Sequence, residues 1–386
     1  MALTTLPTAA FASGSVGTAQ LADGAVTTEK LVADVNFRNL IINGDMSIAQ
    51  RTTSSATISS SGYFTVDRFL MNIDSTFNSI GTMQQNLDSL TPPGNFTNYV
   101  GIQIDTGTAL SGSPYYNFRQ QIEGNNIAYL KLGTSSAQKI TVSFWVRSTK
   151  TGDFSFSLRN GSTDRSYVTT YNIASANTWE KKTITISGDT TGTWTTNNAV
   201  GLTVNFGLGN SLGSFSTSTL DSWISGSYTG SQSATDLVTT TGAKWYITGI
   251  QLEADTSASD FEFLPYDVNL NRCERYYQKS YDLQDSPTTV TSTGLIEVSG
   301  FSDTSSNLLF SIQYKERMRA TPTVTFYNSG GTSGQWAYGR NGASGNATIT
   351  SYSGRTASNN LSAYVGIGAN WVGAWVEGHY TLDAEL

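Results

Sequence analysis

Trp371 and Trp375 stand four residues apart in the run Trp371 to Tyr380. On a β-strand that spacing points both indoles the same way. An exposed Trp pair can stack on sugar rings, because it combines a large apolar face with a fixed N–H donor. The same face could instead pack against a neighbouring subunit or domain, or be buried within its own domain. These three uses stay open at this stage. Tyr115 with Tyr116, Trp194 and Trp223 fall in loop-like segments, as further contact points or as local anchors.

Covalent chemistry finds less support. Glycan hydrolysis uses two carboxylates at a defined separation, and Asp105, Glu123, Asp153 and Asp221 show no spacing that marks a pair. They read as solvated turn and strand residues. A Ser-His-Asp relay would rest wholly on His379, the single histidine. Gly207-Leu208-Gly209 is not followed by the Gly-Lys-Ser/Thr of a phosphate-binding loop. Cys273 is the only cysteine, so an internal disulfide and a multi-cysteine zinc site are excluded. The expectation is a binding or structural protein, not an enzyme, with no organic cofactor.

The elements that must position these residues are β-strands. Of 386 residues only 13 % are charged, whereas aromatic residues reach 11 %. That balance suits many short strands joined by polar turns and excludes a disordered polar chain. A formal charge of −7 argues against nucleic acid as a partner. The basic groups Lys315/Arg317/Arg319, Lys181/Lys182 and Arg272/Arg275 read as solvated strand ends or helix faces. No apolar stretch approaches the roughly 20 residues that cross a membrane, and Met1 to Gly14 makes a poor export signal.

Residues 1–36 are small, polar and nearly free of aromatics. Gly14-Ser15-Val16-Gly17-Thr18-Ala19-Gln20-Leu21 and Gly24-Ala25-Val26-Thr27-Thr28-Glu29-Lys30-Leu31 repeat Gly, Val, Thr and Leu in register. One Val and one Leu per repeat cannot make a core alone, but two or three chains side by side could bury them together. The other reading is a flexible tether. Residues 37–268 alternate strictly at Thr141–Arg147, Asp153–Arg159 and Lys182–Ser187. Further strands are expected at Tyr99–Ile104, Leu202–Gly207 and Lys244–Leu252. Val268 to Ser280 has Leu270, Cys273, Tyr276 and Tyr277 at helical spacing, with Asn269 or Asn271 to cap it. The division expected is a tether at 1–36, a jelly roll at 37–268, a linking helix at 269–280 and a C-terminal β-sandwich at 281–386. In the last region Leu308–Tyr314, Thr321–Tyr327 and Trp371–Tyr380 alternate, and Pro322 belongs at a strand start or edge. Cys273 lies on the apolar stripe of the helix, as a packed thiol.

Several segments resemble proteins of tailed bacteriophages. Asn39-Leu40-Ile41-Ile42-Asn43-Gly44-Asp45-Met46-Ser47-Ile48-Ala49-Gln50-Arg51 and Tyr63-Phe64-Thr65-Val66-Asp67-Arg68-Phe69 are similar to the start of a jelly-roll module of tail-fibre and virion proteins. Its end is similar to Ile247-Thr248-Gly249-Ile250-Gln251-Leu252-Glu253-Ala254, followed by Phe261-Glu262, Pro265-Tyr266 and Cys273-Glu274-Arg275-Tyr276-Tyr277. Met318-Arg319-Ala320-Thr321-Pro322-Thr323-Val324-Thr325 resembles a C-terminal module of the same proteins, and the decapeptide repeat resembles their fibre linkers. The resemblance implies an all-β virion component on the tail or capsid surface. It would be a homotrimer held to other virion proteins through residues 1–36 and binding a host-surface glycan or protein, without membrane insertion. Alternatives are a capsid decoration without a receptor role and a free carbohydrate-binding protein; a depolymerase comes last. The jelly roll also resembles carbohydrate-binding modules in which an Asn-Gly-Asp opening and a late acidic strand frame a structural calcium ion. Asp45 and Glu253 would be its candidates, although a calcium ion needs about six or more oxygens.

Overall fold

The alternation at 153–159 puts Phe154, Phe156 and Leu158 on one face, and all three are fully buried in the computed structural model. The structure describes residues 37–301, 307–340, 343–351, 355–367 and 372–386. The decapeptide repeat and Trp371 lie outside the described residues. Residues 39–386 form one compact unit.

Its first part is a sandwich of two six-stranded antiparallel sheets. In chain order the strands are β1 (Ala56–Thr57), β2 (Leu70–Ile73), β3 (Gly81–Gln85), β4 (Val100–Ile104), β5 (Tyr116–Glu123), β6 (Ile140–Ser148) and β7 (Gly152–Asn160). They continue with β8 (Arg165–Ile173), β9 (Glu180–Ile186), β10 (Val200–Gly207), β11 (Ser216–Thr217), β12 (Trp223–Ser225), β13 (Gly230–Ser231) and β14 (Lys244–Glu253). One sheet runs β1-β3-β4-β14-β6-β9, and the other runs β12-β8-β7-β10-β5-β2. Such crossovers bring strands distant in sequence side by side, as in a jelly roll.

Aromatic residues fill the space between the sheets. The Phe206 ring centroid lies 5.0 Å from that of Phe144, 5.3 Å from Phe156 and 5.9 Å from Trp245. Edge-to-face and tilted contacts of this kind add to the roughly 1.5–3 kcal/mol gained by burying each such side chain.

After the sandwich, helix α1 spans Tyr266–Glu274 and strand β15 spans Tyr277–Lys279. This corrects the expected helix at 269–280 at both ends. Pro265, with its φ fixed at −52°, sits at the start and pre-sets the first turn. Asn269 therefore lies inside the helix, not at its cap, and donates to Asp45 and Ser47. The apolar period continues through Tyr277, but Tyr277–Lys279 pairs with Thr381–Asp383, so tertiary pairing overrides the local pattern. Ile42, Ile48, Cys273 and Tyr276 pack together where α1 meets the sandwich.

The remaining strands are β16 (Ile296–Phe301), β17 (Asn307–Gln313), β18 (Thr323–Tyr327), β19 (Gln335–Arg340), β20 (Ala343–Ser351), β21 (Asn360–Gly366) and β22 (Val372–Asp383). They curl as a half-barrel in which β22 is the spine. Its first half pairs with β16 and β19, and its second half with β15 and β18. Pro322 stands immediately before β18, where its missing N–H costs no ladder bond. Leu308, Trp336, Leu361, Val365, Val376 and Leu382 belong to a separate apolar core.

A buried ionic network joins the half-barrel to the sandwich. The Arg51 guanidinium meets Asp383 at 3.2 Å and Asp67 at 3.7 Å, and lies over the Tyr277 ring. Arg68, 1 % exposed, pairs with Glu385 and donates to the Gln121 carbonyl at 2.7 Å. Its φ of 72° is unfavourable for a side chain of this size, and the network that its head joins offsets that strain.

Candidate functional site

On the second sheet, the alternation that sends Phe118, Phe156 and Phe206 into the core sends their neighbours outward. Register aligns these neighbours into one patch. Asn72 faces Asn117 across β2 and β5, and Arg119 faces Asn205 across β5 and β10. Thr203 faces Arg159, and Asn205 faces Ser157, across β10 and β7. The outer face is therefore built from amides, hydroxyls and two guanidinium groups.

The segment that leaves β10 folds back over part of this face, and polar contacts pin it there. Asn210 donates through Nδ2 to Asn117 Oδ1 at 2.9 Å and to the Thr229 carbonyl at 2.7 Å. The Ser231 backbone N–H donates to Ser155 Oγ at 2.9 Å. A cleft of about 170 Å³ stays open beside the segment, between Asn72, Asn117, Arg119 and Arg159 on the sheet and Phe215 and Thr229 on the segment. Tyr115 closes one side, and its ring meets Phe215 edge-on at 5.2 Å.

The electrostatics of the cleft are unusual. Burial and the neighbouring Arg159 charge lower the Arg119 guanidinium to about 10. Burial also lowers Arg159. Among the described residues neither arginine has a carboxylate partner; Arg159 donates to Ser227 Oγ at 2.8 Å. The buried Nε atoms of both, the Asn117 Nδ2 and the Asn205 Oδ1 lack a hydrogen-bond partner. Burying polar groups without partners costs free energy. The cleft thus presents two guanidinium groups without carboxylate partners beside two aromatic rings, and it can accept a ligand rich in acceptors.

Sequence reasoning had named only Tyr115 of these lining residues. The signal was present in the alternation around Phe118, which puts Asn117 and Arg119 on the opposite face. Nothing local showed that the segment after β10 would return over them.

The other predicted residues go elsewhere. Tyr116 is a correction: it lies in β5 rather than a loop, is fully buried and meets Phe77 edge-on at 5.8 Å, so it cannot touch a ligand or subunit. Trp223, in β12, donates through Nε1 to the Ser187 carbonyl at 2.7 Å and meets the Trp194 ring edge-on at 5.4 Å. Half-buried Trp375 lies across Gly339, where a Cβ would come 2.2 Å from the indole. His379 on the same strand is fully buried and stacked on Tyr281 at 3.7 Å. Cys273 is fully buried, and burial raises its thiol well above the usual range.

Asp45 and Glu253 have separate settings. Asp45 accepts from Ser47 Oγ at 3.1 Å and from Asn269 Nδ2 at 3.1 Å, and burial raises its carboxyl. Glu253 accepts from Ser259 Oγ at 2.6 Å and from Gln251 Nε2 at 3.0 Å. Among the described residues no three acidic, histidine or cysteine side chains converge. A calcium ion at either carboxylate would draw most of its oxygens from backbone and water. The acidic residues weighed for hydrolysis are also dispersed: Glu123 pairs with Arg275 at 2.8 Å, Asp153 accepts from Asn172, and Asp221 accepts from Thr169.

No protein family and no curated protein sequence matches the chain. Among solved structures it is similar to the enzymatically active domain of tailspike protein 4 of bacteriophage CBA120. That match has 12 % identity and a TM-score of 0.26, over 57 % of this chain and 22 % of that one, so the chain spans under a quarter of its length. It is also similar to the carbohydrate-binding module TmCBM61, solved with β-1,4-galactotriose, at 11 % identity and a TM-score of 0.28 over 56 % of this chain and 99 % of the module. A family 11 carbohydrate-binding module of Clostridium thermocellum, solved with a mixed-linked tetrasaccharide, matches at 11 % identity and a TM-score of 0.25 over 50 % of this chain and 91 % of the module.

Proposed function

We propose that this protein is a glycan-binding adhesin of a bacteriophage virion, and that the cleft on the outer face of the second sheet is its contact site. The observation that carries the binding part is the cleft itself, where the guanidinium groups of Arg119 and Arg159, with no carboxylate partner among the described residues, stand beside Tyr115 and Phe215. Aromatic walls with a few placed donors are what a sugar ring needs, since it has an apolar face and a rim of oxygens. A cleft of about 170 Å³ is smaller than the roughly 300 Å³ or more of a typical small-molecule pocket. It therefore takes one ring of a longer chain, with the rest lying outside.

The virion part of the reading rests on the ordered phage-like segments of the sequence. In it the chain is a homotrimer, residues 1–36 attach it to the particle, and three weak sites together give avidity on a host surface. The cleft binds without bond cleavage, its ionisable side chains being two arginines and one tyrosine.

Two measurements test the reading. Peptide mass spectrometry of purified particles should find the chain, and light scattering should give a trimer that is lost without residues 1–36. The full-length chain should bind host-surface polysaccharide, and Phe215→Ala should weaken binding without lowering the melting temperature by more than a few degrees. Absence from particles would remove the virion role; unchanged binding by Phe215→Ala would remove the cleft.

A further inference from the structure

Arg119 and Arg159 stand on the two strands that flank β10, on the same face, and each is opposite a neutral residue of that strand, Asn205 and Thr203. Three other arginines of the sandwich are paired with carboxylates. Arg51 and Arg68 meet Asp383 and Glu385, and Arg165 meets Asp189 at 2.7 Å. The cleft arginines have no carboxylate partner among the described residues. Two guanidinium groups that repel one another are held on one face of the sheet with their buried Nε atoms unpartnered.

A neutral sugar would not resolve this arrangement. Hydroxyl groups can accept from guanidinium N–H groups, but they leave both positive charges uncompensated in a site that excludes much of the water. An anionic group would compensate them. The planar fork of arginine matches two oxygens on one centre, as in a carboxylate or a phosphate, and such charge-assisted bonds are about twice as strong as neutral ones.

We infer that the cleft between Tyr115 and Phe215 selects an acidic sugar, whose anionic group is gripped by Arg119 and Arg159. This inference rests on the glycan-binding reading above and narrows its substrate class. Carboxylate, sulfate and phosphate share the required chemistry. The aromatic pair holds the ring, and the guanidinium groups read its charge. Because the contacts are electrostatic and only partly buried, added salt weakens them.

The test is an array, probed with the full-length chain, on which each acidic glycan stands beside its neutral counterpart: uronic acids beside carboxyl-reduced forms, and sulfated or phosphorylated sugars beside the free hydroxyls. Acidic members should bind at least about tenfold more tightly than their counterparts, and the arms show which anion is preferred. Arg119→Gln and Arg159→Gln should each abolish that preference while the protein melts at the same or a higher temperature. Equal binding to both members of each pair overturns the acidic selectivity and leaves the glycan site standing. Binding to no glycan by a folded trimer overturns both. Loss of binding in a variant that melts lower is resolved by Arg159→Lys, which keeps the charge: if it too binds acidic and neutral members equally, the charge reading fails.

Discussion

The Arg68 guanidinium lies 3.4 Å from the centroid of the Tyr276 ring, so the sandwich and the first residues after α1 are joined by a buried cation on an aromatic face. The same guanidinium pairs with Glu385, whose side chain is 4 % exposed. Arg68→Ala should therefore lower the unfolding free energy by about 3–5 kcal/mol, because it strands a buried carboxylate. Arg68→Ala combined with Glu385→Gln should recover part of that loss. Denaturant unfolding of the single and double variants checks this; a single variant within about 0.5 kcal/mol of the parent would show the network to be solvated.

Gly378 and Gly339 each lie under an indole, but the two indoles differ in freedom. A Cβ on Gly378 would come 2.2 Å from Trp336, which is fully buried, stacked on Phe310 and bonded through Nε1 to the His379 carbonyl at 2.9 Å. A Cβ on Gly339 would meet Trp375 equally closely, yet that ring is half-exposed and can swing away. Gly378→Ala should cost about 1–3 kcal/mol or more, and Gly339→Ala distinctly less. Thermal melts of the two variants decide it, and equal losses would contradict the account.

Burial lowers the Lys279 ammonium to about 8, against roughly 10.4 in an unfolded chain. Between these values the unfolded chain keeps a proton that the folded one has released, so stability rises with pH across that window. Below about pH 8 both states are protonated and the burial penalty is fully present. Denaturation at pH 7.5 and 9.5 should show a gain on the order of 1 kcal/mol that Lys279→Gln removes. The same slope in parent and variant would assign it to another group.

The Cys273 thiol has no exposure and is pushed upward by burial, so it should resist alkylation in the folded protein and react once denaturant unfolds it. Rapid labelling under native conditions would show that α1 opens readily.

Strands with one apolar face were legible, because alternation at Asp153–Arg159 or Lys182–Ser187 has a period that only a strand satisfies. The helix end was not. Tyr276 and Tyr277 keep a helical period in sequence, yet Tyr277 turns to pair with Asp383, more than a hundred residues away. The candidate site was hidden for the same reason. Arg119 and Arg159 lie far apart in sequence, and only the register through β10 places them together. The indole pair at 371 and 375 drew attention because its spacing is local; Trp375 lies across Gly339 of its own sheet. Aromatic residues are conspicuous in a sequence, whereas a polar face acquires meaning only from what folds over it.

The claim that recognition sits in this cleft is tested most directly by hydrogen exchange of the full-length chain with and without the tightest-binding acidic glycan of the array. The account predicts protection confined to residues 115–119, 155–159, 203–207 and 215–229, and its loss in Arg119→Gln. Protection centred on residues 372–380 instead would move the binding site to the half-barrel and contradict it.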